Sequence, residues 1–146
     1  MMQTFRKISL YAATLWLGMQ IMAGYIAAPV LFKMLPKMQA GEIAGVLFDI
    51  LSWSGLAVWG TVLAAAFAAL TRRQTALLLF LLSALAANQF LVTPVIEALK
   101  YGHENWLLSV AGGSFGMWHG ISSMTFMATA LLSAVLSWRL SGKEAV

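Results

Sequence analysis

Four long apolar runs set the pattern of this chain: Ile8–Ala28, Leu47–Leu70, Thr75–Leu99 and Phe115–Leu140. A helix rises ~1.5 Å per residue, so about 20 apolar residues cross the hydrocarbon core of a bilayer. Each run meets that length. The pattern predicts an all-α integral membrane protein: one domain, a four-helix bundle with spans over residues 8–28, 43–70, 75–99 and 115–140. Between the first two spans, Leu31, Met34, Leu35 and Met38 recur at three- and four-residue spacing, with Lys33 and Lys37 on another face. That spacing predicts a short helix lying in the membrane interface, interrupted by Pro36. Gly41 and Glu42 suit the start of the second span, because an acidic side chain is favoured at the positive end of a helix. The tight basic turn Thr71–Gln74 makes the second and third spans an antiparallel hairpin.

Composition excludes the soluble alternative. Of 146 residues, 61% are hydrophobic and 10% charged, against a usual charged share of about 25%. Mean hydropathy is +0.84. No water-soluble domain of this size can hide so much apolar surface. The chain has no cysteine, which excludes disulfides, thiolate metal sites and a cysteine nucleophile. Arg6 and Lys7 precede the first run like the basic region of a signal peptide. The run is longer than the usual ~7–15 residues, lacks a clean A-x-A site and is followed by Pro29, so a retained helix is expected.

Charge then orients the chain. Arg6, Lys7, Arg72, Arg73, Arg139 and Lys143 fall on one side of four spans; Lys33, Lys37 and Lys100 fall on the other. The positive-inside rule places both termini in the cytoplasm, which in a bacterium means a multi-pass protein of the inner membrane. The net charge of +4 sits at helix ends, where it suits anionic headgroups rather than nucleic acid. Trp53, Trp106 and Trp118 are expected near the outer interface and Trp138 near the inner one, with Trp16 and Trp59 as packing residues.

Small residues suggest how helices meet. Gly112, Gly116 and Gly120 form a double G-x-x-x-G entering the fourth span. Such a face lets another backbone come close, either inside one bundle or between two copies. The membrane-depth polar residues are the candidates for chemistry, because polar groups there are costly and usually paired or functional. Asp49 and Glu97 are placed near the outer ends of their spans, His119 one turn inside the fourth, Ser122 below it, and Asn88 and Gln89 deeper. One reading is a polar pocket open to the outer side. The other is that Asp49 and Glu97 reach the headgroups and His119 bonds a neighbouring helix.

Metal and enzyme chemistry find little support. Met34 with Met38, and Met117, His119 and Met124, are thioether and imidazole groups that suit Cu(I), but methionine is also an ordinary core filler. Bis-histidine haem needs a second histidine at depth, and His103 is in a loop. No phosphate-binding loop, G-x-S-x-G or zinc-protease pattern occurs. No enzyme activity, cofactor or resident metal is expected.

Ala28-Pro29-x-x-Phe32, Leu47-Phe48 and Phe115-x-x-x-His119-Gly120-x-Ser122, with four spans in this order, resemble the bacterial branch of the transmembrane protein 205 family. These are small four-helix membrane proteins of undefined function. The resemblance implies the same fold and draws attention to Pro29, Phe32, Phe48, Pro94, Phe115, His119 and Ser122. The chain departs from the family pattern at Asp49, where a proline is usual, and at Met124 and Thr125, where an asparagine is usual. Two function classes follow. One is a non-enzymatic protein of the lipid bilayer that acts by helix association, as a homo-oligomer or with a membrane-protein partner. The other handles a small solute or copper through a pocket around His119.

Overall fold

A computed structural model describes residues 2–141. Its framework is four helices of membrane-spanning length: α1 (Lys7–Met34), α2 (Lys37–Ala66), α3 (Arg72–Tyr101) and α5 (Phe115–Ser141). A fifth, short helix, α4 (Trp106–Ala111), lies between α3 and α5. Each long helix packs antiparallel against the next, and α5 closes the ring against α1. This up-down-up-down bundle is the architecture the apolar runs predicted.

The helix ends follow from local chemistry. Leu35 is extended (φ −121°, ψ 156°), as the residue before a proline is driven to be. Pro36 therefore separates α1 from α2, and the backbone is helical on both sides. The interfacial helix expected here is not a separate element: its residues form the last turns of α1 and the first turns of α2. Lys37 and Met38 looked like one amphipathic surface with Lys33 and Met34 because the spacing continues across the break. At α3 a capping box holds the first turn: the Gln74 amide donates to Thr71 Oγ1, and the Thr71 amide donates to Gln74 Oε1 at 3.0 Å. At its other end Gly102 takes the left-handed conformation (φ 70°), and the His103 amide bonds the Ala98 carbonyl at 3.1 Å. Asn105 caps α4 by accepting from the Leu107 and Leu108 amides at 2.9 and 3.1 Å.

Two π-helical segments interrupt the ascending helices, Met22–Ala27 in α1 and Asn88–Val92 in α3. Both precede a proline by two residues. A proline ring collides with the carbonyl four residues back and has no N–H to offer it. A wider turn, with the Ala28 amide on Ala23 O and the Thr93 amide on Asn88 O, lets the helix pass Pro29 and Pro94 without breaking. The two hairpins also repeat each other. Sliding α1 so that Pro29 falls on Pro94 lays Ala13 on Leu78, Trp16 on Leu81, Gln20 on Leu85 and Ala23 on Asn88, all buried. A second shift lays Gly55, Trp59, Val62 and Ala66 on Thr129, Ser133, Leu136 and Leu140, again all buried. The longer α3–α5 connection, which contains α4, accounts for the difference in shift.

The main core lies where α1, α2, α3 and α5 meet. Trp16, Leu51, Trp59, Val62, Leu78, Leu81, Leu85 and Leu136 form it. Trp16 and Trp59 meet edge to face at 6.5 Å, and Trp16 donates from Nε1 to the Leu51 carbonyl at 2.8 Å. A smaller cluster of Val92, Val95 and Trp118 joins α3 to α5 at the other end. The large apolar side chains left exposed, such as Ile8, Leu15, Phe80 and Leu131, form the surface that a bilayer would solvate.

Candidate functional site

The antiparallel packing gathers Lys7, Arg72, Arg73 and Arg139 at one end of the bundle and Lys33, Lys37 and Lys100 at the other. Lys143 lies outside the described residues. At the second end Lys100 donates to the Gly41 carbonyl at 3.3 Å, tying α3 to the first turns of α2.

Because α2 begins at Lys37, Asp49 sits near the middle of that helix rather than near its outer end. It lies on the outside of the bundle, exposed. Gln89, in the π segment of α3, donates from Nε2 to Asp49 Oδ1. The widened turn places Asn88, Gln89 and Val92 all inward. Gln89 is 8% exposed, and its Oε1 has no partner. Beside the pair, Trp53 and Phe90 meet edge to face at 5.4 Å, and both are exposed. This places Trp53 at mid-helix rather than at the outer interface.

His119 is placed elsewhere. It is exposed on α5, and its ring stacks on Phe115 one turn away, centroids 5.8 Å apart. Ser123 bonds the His119 carbonyl rather than the ring. Ser122 is half-buried and Glu97 exposed. Of the six residues expected around one pocket, the structure brings Asp49 and Gln89 together, with Asn88 beside them in sequence. His119 had been expected to face the bundle; the face inward at this level belongs instead to Trp118, which donates to the Gly112 carbonyl at 2.9 Å. Among the described residues no three His, Asp or Glu side chains group as a metal site.

Of the two expectations for the glycines, packing inside the bundle is not met at Gly116 and Gly120. A Cβ at Gly120 would meet nothing within 4 Å, and one at Gly116 only Ser114 Oγ at 4.0 Å. Gly112 ends α4 at φ 62° and does not belong to α5. Between helices, a Cβ at Gly24 would stand 2.6 Å from the Phe126 ring and one at Gly55 2.7 Å from Trp16 Cε2.

Sequence reasoning missed Gln20. It is fully buried and donates from Nε2 to Phe126 O at 3.0 Å and Thr129 Oγ1 at 2.9 Å. A single amide in the middle of an apolar run, between Met19 and Ile21, was the available signal. A second missed feature is an apolar groove of about 730 Å³ on the outside of α1 and α2, lined by residues that include Leu15, Gly18, Met22, Leu47 and Ile50.

Similarity to known proteins adds the family. No curated protein and no solved structure matches the chain. Residues 11–105 match the family described as a domain of unknown function, DUF4149. The match runs from α1 to the start of the α3–α5 connection and leaves out the Phe115–Ser122 segment. Because it covers more than half of the chain, the protein belongs to the DUF4149 family.

Proposed function

We propose that this protein is non-enzymatic and acts in a bacterial inner membrane by helix association, docking a membrane-protein partner against the face of α2 and α3 that carries Asp49 and Gln89. The observation behind this reading is the position of Asp49: near mid-helix, exposed on the outside of the bundle, and held by a side chain that reaches out from the core. A carboxylate facing hydrocarbon is costly, whereas one facing a donor on another helix is compensated. Among the described residues the chain's own cations stand at the helix ends, and none of them reaches that depth in a second copy. The partner helix is then one with a Lys, Arg, Asn or Gln at mid-membrane. The exposed rings of Trp53 and Phe90 supply the apolar border of the contact.

Self-association is the second reading, and the open backbone at Gly116 and Gly120 favours it. The finer likeness to the transmembrane protein 205 family belongs to the proposal too, as does the orientation with both termini cytoplasmic, which rests on the charge asymmetry between the two ends. A photoreactive side chain at Trp53, at Phe80 and at Gly120 would be activated in native membranes, and the adduct masses measured. The association reading expects a heterologous adduct from Trp53, absent from Phe80 and lost with Asp49→Leu. A dimer-mass adduct from Gly120 alone supports the second reading. No adduct from any position, with a single-copy mass by light scattering in mild detergent, overturns both.

A further inference from the structure

Trp16, Gly55 and Leu85 meet at one level, since a methyl on Gly55 would touch both neighbours. One turn toward the Pro29 and Pro94 end, three helices present a polar side chain: Gln20 from α1, Ser52 from α2 and Asn88 from α3. Thr129 of α5 joins them through its bond from Gln20. Their exposures are 0%, 5%, 8% and 0%. All four lie near the middle of their helices, so the bundle carries a polar layer at its mid-plane. Apolar groups enclose it. Phe48 and Phe126, edge to face at 4.9 Å, close one side with Gly24 against the Phe126 ring; Trp16 and Leu85 close the other.

Two acceptors in the layer are unmet. Gln20 Oε1 and Asn88 Oδ1 are buried and have no partner. The Gln20 orientation is fixed, because its nitrogen faces the Phe126 carbonyl, which only accepts, and a Thr129 oxygen whose own proton goes to Phe126 O at 2.9 Å. A buried amide oxygen left unpaired costs ~1–3 kcal/mol in proteins, more where no water can reach it. Two such oxygens in one enclosed layer call for a donor.

We propose that the layer is an internal hydration site in which water donates to Gln20 Oε1 and Asn88 Oδ1. A neutral donor suits it better than a cation. The carboxylate next to the layer, Asp49, lies on the outside of the bundle and already accepts from Gln89, so a cation among neutral amides and hydroxyls would be uncompensated in a low dielectric. Water needs two to four polar partners, and the layer offers two amide oxygens and two hydroxyls. The proposal is independent of the association reading, which concerns the outer face of α2 and α3.

The test uses the ¹⁵N-labelled full chain in lipid nanodiscs. Magnetisation transfer from water to the side-chain amide protons of Gln20 and Asn88 is measured, with exchange through hydroxyls separated by sign. Both amides should receive it, and should still do so in Ser52→Ala, which removes one hydroxyl that can relay protons. Thermal midpoints in sodium, potassium and choline chloride should coincide. Absence of transfer to both amides in the unaltered protein overturns the proposal. So does a saturable rise in the midpoint with sodium or potassium that disappears in Asn88→Leu, which would make the ligand a cation.

Discussion

Gly55→Ala is the sharpest test of how this bundle is held together. The added methyl would stand 2.7 Å from Trp16 Cε2 and 3.1 Å from Leu85 Cδ1, well inside ordinary contact. Whether this matters depends on whether the indole can move. Trp16 is 2% exposed, bonded through Nε1 to the Leu51 carbonyl at 2.8 Å and set against the Trp59 ring at 6.5 Å. Shifting it breaks that bond or drives it into Trp59. Overpacking of this kind costs ~1–3 kcal/mol, and a stretched buried hydrogen bond adds ~1 kcal/mol. Alanine recovers ~0.5–1 kcal/mol over glycine inside a helix. The balance is a loss of about 1–3 kcal/mol. Gly60→Ala, on the same helix with nothing within 4 Å, should be neutral or slightly stabilising. Unfolding in mixed micelles, followed by tryptophan fluorescence, compares the two. Equal stability of the two variants would refute the reasoning, because it would show that α1 and α2 are free to separate at this level.

Further outcomes follow from other contacts. Gly24→Ala, whose methyl would meet the Phe126 ring, should lower stability by less than Gly55→Ala, since Phe126 is only partly buried and can turn; unfolding midpoints decide this. Trp16→Phe removes the bond to the Leu51 carbonyl and should cost ~1–2 kcal/mol beyond the lost ring area, whereas Trp138→Phe, at an 82% exposed position, should leave the midpoint unchanged. His119→Ala should leave the melting temperature within a degree or two of the parent, its ring contact being the stack on Phe115; a large drop would place the imidazole in a packing role. Ser141→Cys should resist a membrane-impermeant thiol reagent in intact cells, and Lys37→Cys should react; the reverse pattern would invert the topology.

The sequence revealed the spans and not the faces, and the reason is physical. Bilayer-length apolarity is a signal along one dimension, so Ile8–Ala28 or Phe115–Leu140 declares itself by length alone. Which side of such a helix turns inward is normally read from amphipathicity, and a helix apolar all round carries almost none. His119 and Trp118 are neighbours in sequence and opposite in environment, and nothing in the flanking Phe115–Ser122 pattern says which one the bundle keeps. The same blindness left open whether Gly116 and Gly120 pack inside the bundle, where Gly24 and Gly55 make the close approaches between helices instead. Depth was a separate error. Pro36 and the lysines beside it suggested a surface segment, which moved the start of the second span from Lys37 to about residue 43 and pushed Asp49 toward the headgroups.

Once depth is measured from the true helix ends, the polar residues sort by what surrounds them. Gln20, Ser52, Asn88 and Thr129 occupy one level inside the ring, where Gln20 bonds Thr129 and two buried amide oxygens have no partner. Asp49 lies just beyond that level on the outside, and its neighbours Trp53 and Phe90 are exposed with it. Gln89 belongs to both sets, since its nitrogen reaches outward to Asp49 while its oxygen stays buried without a partner. It can do so because Pro94 forces the π turn at Asn88–Val92, which brings two successive polar residues inward where a regular α-helix would turn the second about 100° away. Pro94 is therefore the residue that joins the interior polar layer to the outer face. The proposed outer contact and the proposed hydration site both pass through that one segment of α3.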